Sequence, residues 1–71
     1  MYNDITLAKK AGENLKSLIK ELNITQEAAS RMLNIEERTL RRWLKEGIDK
    51  ISTLELICRV FKLDSITTLI K

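Results

Sequence analysis

The chain has 71 residues, a net charge of +3 at pH 7, no His, no Pro and one Cys. This length allows a single domain, 1–71, the lone cysteine excludes an intrachain disulfide, and the sequence has no metal-ligand spacing. No apolar run approaches the ~20 residues that span a bilayer and the N-terminus does not resemble a secretory signal, so we expect a cytoplasmic protein with no membrane segment and no cofactor.

The first predicted helix follows from apolar residues that recur every three or four positions between Ala8 and Leu22. Asp4 can cap the start of this helix. Gly12 interrupts the pattern, because glycine is a poor residue for a helix interior. The sequence therefore predicts a helix that ends near Leu22, with residues 1–12 as an N-terminal extension or a flexible arm.

A second, short helix is predicted between two asparagines. Asn23 interrupts the first pattern, and Thr25 is a good N-cap. Asn34 tolerates the left-handed conformation that a tight turn requires, so the helix should end near Leu33. Its apolar positions are Ala28, Ala29, Met32 and Leu33.

A third helix is predicted from Glu36 to Glu46, closed by Gly47. At about 100° per residue, Leu40, Trp43 and Leu44 fall on one side, which predicts the face that packs on the domain. The opposite side is polar and covers an arc of about 140°. Its residues are Glu37, Arg38, Arg41, Arg42 and Lys45.

The last two predicted helices follow a loop of about Gly47–Ile51. Ser52–Glu55 has the form of a capping box, and Asp49 is an alternative cap. The fourth helix then carries Leu54, Ile57, Cys58 and Phe61. A final short helix is capped by Asp64 or Ser65 and contains Ile66, Leu69 and Ile70.

Two short helices joined by about three residues, with a basic face on the second, are the components of a helix-turn-helix. The second helix of this motif enters the major groove, and its exposed side chains must be long, polar and clustered. The segment Glu36–Glu46 meets that requirement. We therefore predict an all-α fold, one compact domain of about five short helices that contains a helix-turn-helix.

The segment Ile24–Ile35 resembles, without a gap, the Leu-Ser-Gln-x-x-Leu-Ala-x-x-Leu-Gly-Val pattern of the Xre family, which includes the lambda-type phage repressors and Cro. The resemblance covers about Leu15 to Leu69, most of the chain. Further positions that match are Thr39, Leu40, Trp43, Leu54, Ile57, Cys58, Phe61 and Leu63.

The resemblance implies a five-helix domain that binds operator DNA, usually as a dimer. It gives Gln26, at the start of the second helix, a contact with the DNA backbone or a base edge, and we add Thr25 at the same helix N-terminus. It places the base-reading positions on Glu37, Arg38 and, one turn later, Arg42.

The chain departs from the family pattern at a few positions. Ala29 stands where the family prefers Leu, and Ser30 stands where it prefers Ala. Leu44 replaces a frequent Glu, and Gly47 comes one residue later than the usual Gly. These departures leave the predicted fold intact and bear on the docking angle.

The charged residues of the third helix also have plainer interpretations. Arg38, Arg41 and Arg42 could be a solvated face, but Arg makes bidentate contacts with guanine or phosphate. We assign Arg38 to bases and leave Arg41 and Arg42 divided between bases and phosphates. Glu37 either accepts a hydrogen bond from cytosine N4 or, with Glu36, stabilises the helix N-terminus.

Other candidate residues are expected to have structural roles. Trp43 and Cys58 should lie in the core rather than act as a base stack or a redox switch. Lys9, Lys10 and Lys16 should form a solvated face rather than phosphate contacts from an arm.

Ile66, Leu69 and Ile70 exceed what a short terminal helix needs to bury, which favours a dimer contact over simple closure of the core.

The sequence thus predicts a sequence-specific transcriptional regulator, a repressor of bacterial or phage origin, that binds double-stranded operator DNA as a homodimer and is not an enzyme. The alternative is a protein-interaction module of the same fold, an antitoxin or antirepressor that acts mainly by binding another protein. The predicted DNA-binding residues are Thr25, Gln26, Glu37, Arg38, Thr39, Arg41, Arg42 and Lys45.

Overall fold

The computed structural model describes residues 5–70, with the side chains of residues 6–70. This part of the chain is all-helical, contains no strand, and confirms the predicted fold class. The five helices are α1 (Ile5–Glu21), α2 (Gln26–Leu33), α3 (Glu37–Glu46), α4 (Ile51–Phe61) and α5 (Thr67–Ile70).

Helix α1 packs against α3 and α5 along the face that the apolar periodicity predicted. Ala11 and Leu15 are fully buried, and Ile19 is almost so. The helix runs without interruption through Gly12, so residues 5–12 are helical where an extension or flexible arm was expected. The glycine that suggested a break instead packs directly on α3. The predicted cap, Asp4, lies outside the described residues.

Within residues 5–70, three residues other than glycine adopt the left-handed conformation, and each lies just after a helix. Asn23 has φ 57° and Asn34 has φ 58°, which confirms both predicted breaks. Lys62, with φ 57° and ψ 45°, ends α4 in the same conformation. The sequence offers no signal for that residue, because lysine has no side-chain amide or carboxylate that favours left-handed backbone.

Helix α2 packs through small residues. Ala29 is fully buried, and Ser30 is 3% exposed, with its hydroxyl donating a hydrogen bond to the Glu27 carbonyl at 2.7 Å. Because the Ser30 hydroxyl is satisfied within its own helix, its burial carries little penalty. Met32, which was predicted as part of the apolar face, is 48% exposed. The buried face of α2 is therefore narrower than its apolar pattern suggested.

Helix α4 begins differently from the prediction. Its first residue is Ile51, its N-cap is Lys50, and no side chain makes a capping hydrogen bond. Neither the capping box Ser52–Glu55 nor Asp49 therefore caps this helix. Two backbone N–H groups of the first turn donate to the Lys50 carbonyl instead, at 3.1 and 3.2 Å.

The start of α4 is set by a tertiary contact of Ile48, two residues before the N-cap Lys50. The Ile48 side chain is 2% exposed in the core, and its N–H donates to the Ala8 carbonyl of α1 at 2.9 Å. This anchor fixes the link between α3 and α4 to the backbone of α1. A local capping motif was outweighed by burial and a long-range hydrogen bond.

The hydrophobic core collects side chains from all five helices and the link after α3. Trp43 is half-buried and packs against this core, and Cys58 is buried, which confirms both core assignments. The largest fully buried side chains are Leu15, Leu33, Leu40, Ile48, Leu54, Ile57 and Leu69.

The short α5 is held at both ends by polar contacts. The Ser65 hydroxyl oxygen accepts a hydrogen bond from the Thr67 N–H at 3.2 Å, which selects Ser65 over Asp64 as the capping residue. The Asn14 side-chain amide of α1 donates to the Leu69 carbonyl at 2.5 Å. These contacts fix a helix that is too short to be stable alone.

Candidate nucleic-acid interface

The N-terminus of α2 is built by Thr25, whose backbone is extended with φ −82° and ψ 163°. The Thr25 hydroxyl oxygen accepts a hydrogen bond from the Ala28 N–H at 3.0 Å, as the sequence predicted for an N-cap. Its hydroxyl hydrogen can still donate outward. Thr25 is exposed, and Gln26 is half-exposed at the first helical position. Both residues therefore lie where a helix N-terminus attracts phosphate.

The turn between α2 and α3 is closed by backbone hydrogen bonds. The N–H groups of Asn34 and Ile35 donate to carbonyl oxygens in the last turns of α2, at 3.1 and 3.0 Å. Glu36 is the extended N-cap of α3, and its side chain makes no capping hydrogen bond. The two helices are thus joined by residues 34–36, the short connection of a helix-turn-helix.

Helix α3 turns one face to the core and the other to solvent. Leu40 is fully buried, and Trp43 and Leu44 are half-buried beside it. Glu37 is half-buried, and every predicted cation of α3 is exposed. These cations are Arg38, Arg41, Arg42 and Lys45.

The cations of α3 have no carboxylate partner within 4.0 Å in the described part of the chain. The ion pair found there joins Arg31 and Glu27 of α2 at 3.6 Å, and both side chains are well exposed. Such an exposed pair contributes little to stability. None of the α3 cations is held in an ion pair within residues 6–70, so their side chains can contact phosphate.

An open cleft of about 520 Å³ lies beside α3, next to the link that leads to α4. Thr39 and Arg42 line it from α3, and Lys50 and Thr53 line it from the start of α4. Thr39 therefore points into this cleft, away from the centre of the basic face. The carboxylates at the cleft are those of Glu46 and Asp49.

Lys50 and Thr53 line this cleft and were not among the predicted DNA-binding residues. Lys50 was predicted in a loop and Thr53 within a capping box. Lys50 is the N-cap of α4, Thr53 lies in its first turn, and both line the same cleft as Arg42. Only the true start of α4 reveals this proximity. The available signal was a lysine and a hydroxyl residue just after the basic helix.

The predicted dimer contact is only partly exposed. Leu69 is 1% exposed and belongs to the core, so we correct its assignment: it closes the core and offers no area to a partner. Ile66 and Ile70 are half-buried. A shallow groove of about 230 Å³ lies on the surface between α1 and the segment of Leu63 to Leu69.

The lysines of α1 are exposed, as expected for a solvated face. Lys9, Lys10 and Lys16 belong to a continuous helix. These lysines therefore project from a helix and not from a flexible arm.

Cys58 is a buried core residue, and its thiol has low reactivity. Burial raises the pKa of its thiol, and the negative charge of Glu55 raises that pKa further. The thiol therefore stays protonated near neutral pH and is a poor nucleophile. Within residues 6–70, no group of three or more His, Cys, Asp and Glu side chains is placed to hold a metal ion. No described helix is long and apolar enough to cross a membrane.

Comparison with protein families agrees with this geometry. A family model described as a Cro/C1-type HTH DNA-binding domain matches residues 14–71. The match covers α2, the turn, α3 and every predicted DNA-binding residue. No match was found among curated proteins or among solved structures.

Proposed function

The chain belongs to the Cro/C1-type helix-turn-helix family of DNA-binding domains, and from this premise we propose that it is a sequence-specific transcriptional repressor of bacterial or phage origin. In this proposal residues 1–71 form one DNA-binding domain, and α3 lies in the major groove, which is wide enough for one helix. The DNA of such hosts lies in the cytoplasm, where we place the protein. Domains of this family are typically not enzymes, and the proposed role requires no reaction.

The observation that carries the proposal is the set of exposed cations on α3 that have no carboxylate within 4.0 Å among the described residues. A solvated face that served only solubility would gain from internal pairing with acidic neighbours. Unpaired arginines on one face instead match the bidentate recognition of guanine and phosphate.

We assign direct base contacts to the first turn of α3. Arg38 donates to guanine O6 and N7, the commonest specific contact in the major groove. Glu37 lies beside it and has two roles open to it. It accepts from cytosine N4, or it stabilises the helix N-terminus through the dipole.

The second half of α3 combines base and backbone contacts. Arg41 and Arg42 are divided between bases and phosphates, and Lys45 contacts phosphate. Thr39 contributes through the cleft that it shares with Arg42. At the other end of the motif, Thr25 and Gln26 anchor the DNA backbone at the N-terminus of α2.

We propose that the protein binds as a homodimer through Ile66 and Ile70, the half-buried apolar residues near its C-terminal helix. A dimer would contact two half-sites about 34–36 Å apart, one turn of duplex. Sedimentation of the isolated chain tests this: a monomer at micromolar concentration contradicts the contact.

The test of sequence-specific binding begins with selection of bound duplexes from a random pool. Arg38→Ala should then weaken binding to the selected site by about 1–3 kcal/mol and relax specificity at one position. Arg31→Ala is the matched control, because it removes the same charge from an exposed residue of α2 that is outside the basic face.

Equal binding of Arg38→Ala and the native protein across sites would contradict the assignment of Arg38. Failure of the native protein to enrich any sequence would contradict the proposed function as a whole. Equal losses for Arg38→Ala and Arg31→Ala would show a general electrostatic effect without base recognition.

A protein-interaction module, such as an antitoxin or antirepressor, is the second candidate function. The observation that favours it is apolar exposure outside the basic face, since Leu22 and Met32 are 47% and 48% exposed. A weak salt dependence of DNA binding, together with a tight protein partner, would favour this candidate.

A further inference from the structure

The feature that carries a further inference is the glycine in the middle of α1. Gly12 is buried within a continuous helix of 17 residues. Glycine is less favourable than alanine inside a helix, since it loses more conformational entropy on folding. A buried glycine at such a position therefore needs a packing reason.

The packing reason is a close approach of two backbones. A Cβ atom added to Gly12 would lie 2.6 Å from the Trp43 carbonyl oxygen and 3.3 Å from the Cα of Gly47. Real Cβ contacts do not fall below 3.0 Å. Because the nearest atom belongs to the backbone of α3, no side-chain rotation can relieve the contact.

Gly47, the residue that ends α3, makes an equally close backbone contact with α1. Gly47 has φ 108° and ψ 175°, and a Cβ there would lie 2.7 Å from the Ala8 carbonyl oxygen. The next N–H, that of Ile48, donates to this carbonyl at 2.9 Å. Two glycines thus allow the C-terminal end of α3 to rest directly on the backbone of α1.

The contact bears on DNA recognition because Trp43 lies among the exposed cations. Arg42 precedes it directly, and Arg41 and Lys45 are each two positions away. The Trp43 carbonyl that abuts Gly12 also accepts the Gly47 N–H at 2.9 Å, which closes α3. A displacement of this carbonyl therefore moves the helical turn that carries these side chains.

We infer that Gly12 is a positioning residue for DNA recognition: its contact with Trp43 and Gly47 sets the angle at which α3 projects from α1. This inference rests on the proposed insertion of α3 into the major groove. Bidentate contacts tolerate displacements of only about 0.5 Å and 10–20°. A Cβ added at Gly12 would lie 2.6 Å from the Trp43 carbonyl oxygen, so that oxygen would have to move until the two atoms reach an ordinary contact distance. This displacement exceeds the tolerance.

The experiment compares Gly12→Ala with the native protein on two duplexes, one selected from a random pool by the native protein and one of scrambled sequence. We expect the ratio of specific to non-specific affinity to fall by roughly tenfold, the loss of about one base contact. Non-specific affinity should change little, because the number of cations is unaltered. A merely structural role would lower both affinities in the same proportion.

The matched control is Ile57→Val, a small core truncation in α4 at a fully buried residue outside the junction. It should lower stability and leave the specificity ratio unchanged. Both variants are to be made also in a Lys62→Gly background, which relieves the left-handed lysine and adds stability at a distance from α3. If Gly12→Ala fails to fold even in the Lys62→Gly background, the result would contradict a local repositioning of α3.

Two further outcomes separate this inference from the proposed function. If the native protein selects no sequence, the proposed function fails, and the junction is tested by the fluorescence of Trp43, the one tryptophan of the chain. Gly12→Ala should then still shift Trp43 emission, whereas Ile57→Val should not. If the native protein binds specifically and Gly12→Ala keeps its specificity ratio, the positioning role is overturned.

Discussion

The turn between α2 and α3 and the link between α3 and α4 both follow short helices, but different forces hold them. The turn uses residues close in sequence: Asn34 ends α2 in the left-handed conformation, and the Asn34 and Ile35 N–H groups donate to carbonyl oxygens in the last turns of α2, just as Thr25 caps the start of α2 locally. The link is held from a distance, because Ile48 donates to Ala8 and Gly47 rests on the same residue.

This contrast teaches where sequence analysis succeeds and what substitutions should cost. Local caps act over one helical turn and are each worth about 1 kcal/mol. In a close contact between two backbones no flexible side chain can move aside, so an added atom should lower the free energy of unfolding by more. Substitutions at the link should therefore cost more stability than substitutions at local caps.

Gly47→Ala should lower the free energy of unfolding by about 2–4 kcal/mol. The backbone at Gly47 lies in a region open essentially to glycine, and the new Cβ would meet the Ala8 carbonyl at 2.7 Å. Urea unfolding followed by circular dichroism measures the loss. Asn34→Gly, at the other connection, is the control and should change stability by only a few tenths of a kcal/mol. If Gly47→Ala lowered the free energy of unfolding by less than about 1 kcal/mol, the link would be no more sensitive to substitution than a local cap.

Thr25→Ala should cost about 1 kcal/mol, since the Ala28 N–H loses its acceptor at the start of α2. Thr25→Ser keeps a hydroxyl oxygen and should remain close to the native stability. The same urea titrations compare the two variants. Equal stability of Thr25→Ala and Thr25→Ser would show that the cap contributes nothing.

Lys62→Gly should raise the free energy of unfolding by about 0.5–1 kcal/mol. Lys62 has the same left-handed backbone as Asn34 but lacks a side chain suited to it. Lys62→Ala is the control, because it removes the charge and keeps the unfavourable conformation. Thermal unfolding should rank the glycine variant above the alanine variant, and the reverse order would contradict the assigned strain.

Ser52→Ala should change stability by less than about 0.5 kcal/mol, because no side chain caps α4. Asp49→Ala should be similarly small for the same reason. A genuine cap at either residue would instead be worth about 1 kcal/mol. A loss of that size, measured by thermal unfolding, would show that the capping box stabilises α4 after all.

Much of the candidate site could be predicted because its determinants are local. The break at Asn34 and the cap at Thr25 act within a few residues, and the basic face of α3 follows from helical periodicity alone. The short connection between the two helices and the family resemblance then identified them as one motif, which the family model confirms.

The parts that escaped prediction depend on residues far apart in sequence. Gly12 looked like a break, yet its contact with Trp43 keeps it inside α1. The place of Lys50 beside the basic helix requires the anchor between Ile48 and Ala8. Leu69 was assigned to a dimer contact, and only the packing of α5 on α1 shows that it is buried.

The hydrogen bond from Asn14 to the Leu69 carbonyl has a consequence for how the protein is made. The two residues are 55 positions apart, so the α5-facing side of α1 leaves the ribosome long before its partner does. At about 5–20 residues per second, that interval is roughly 3–11 s. During that interval Asn14 and its apolar neighbour Leu18 lack their contacts with α5. Helix α1 therefore completes its packing only after α5 has been synthesised.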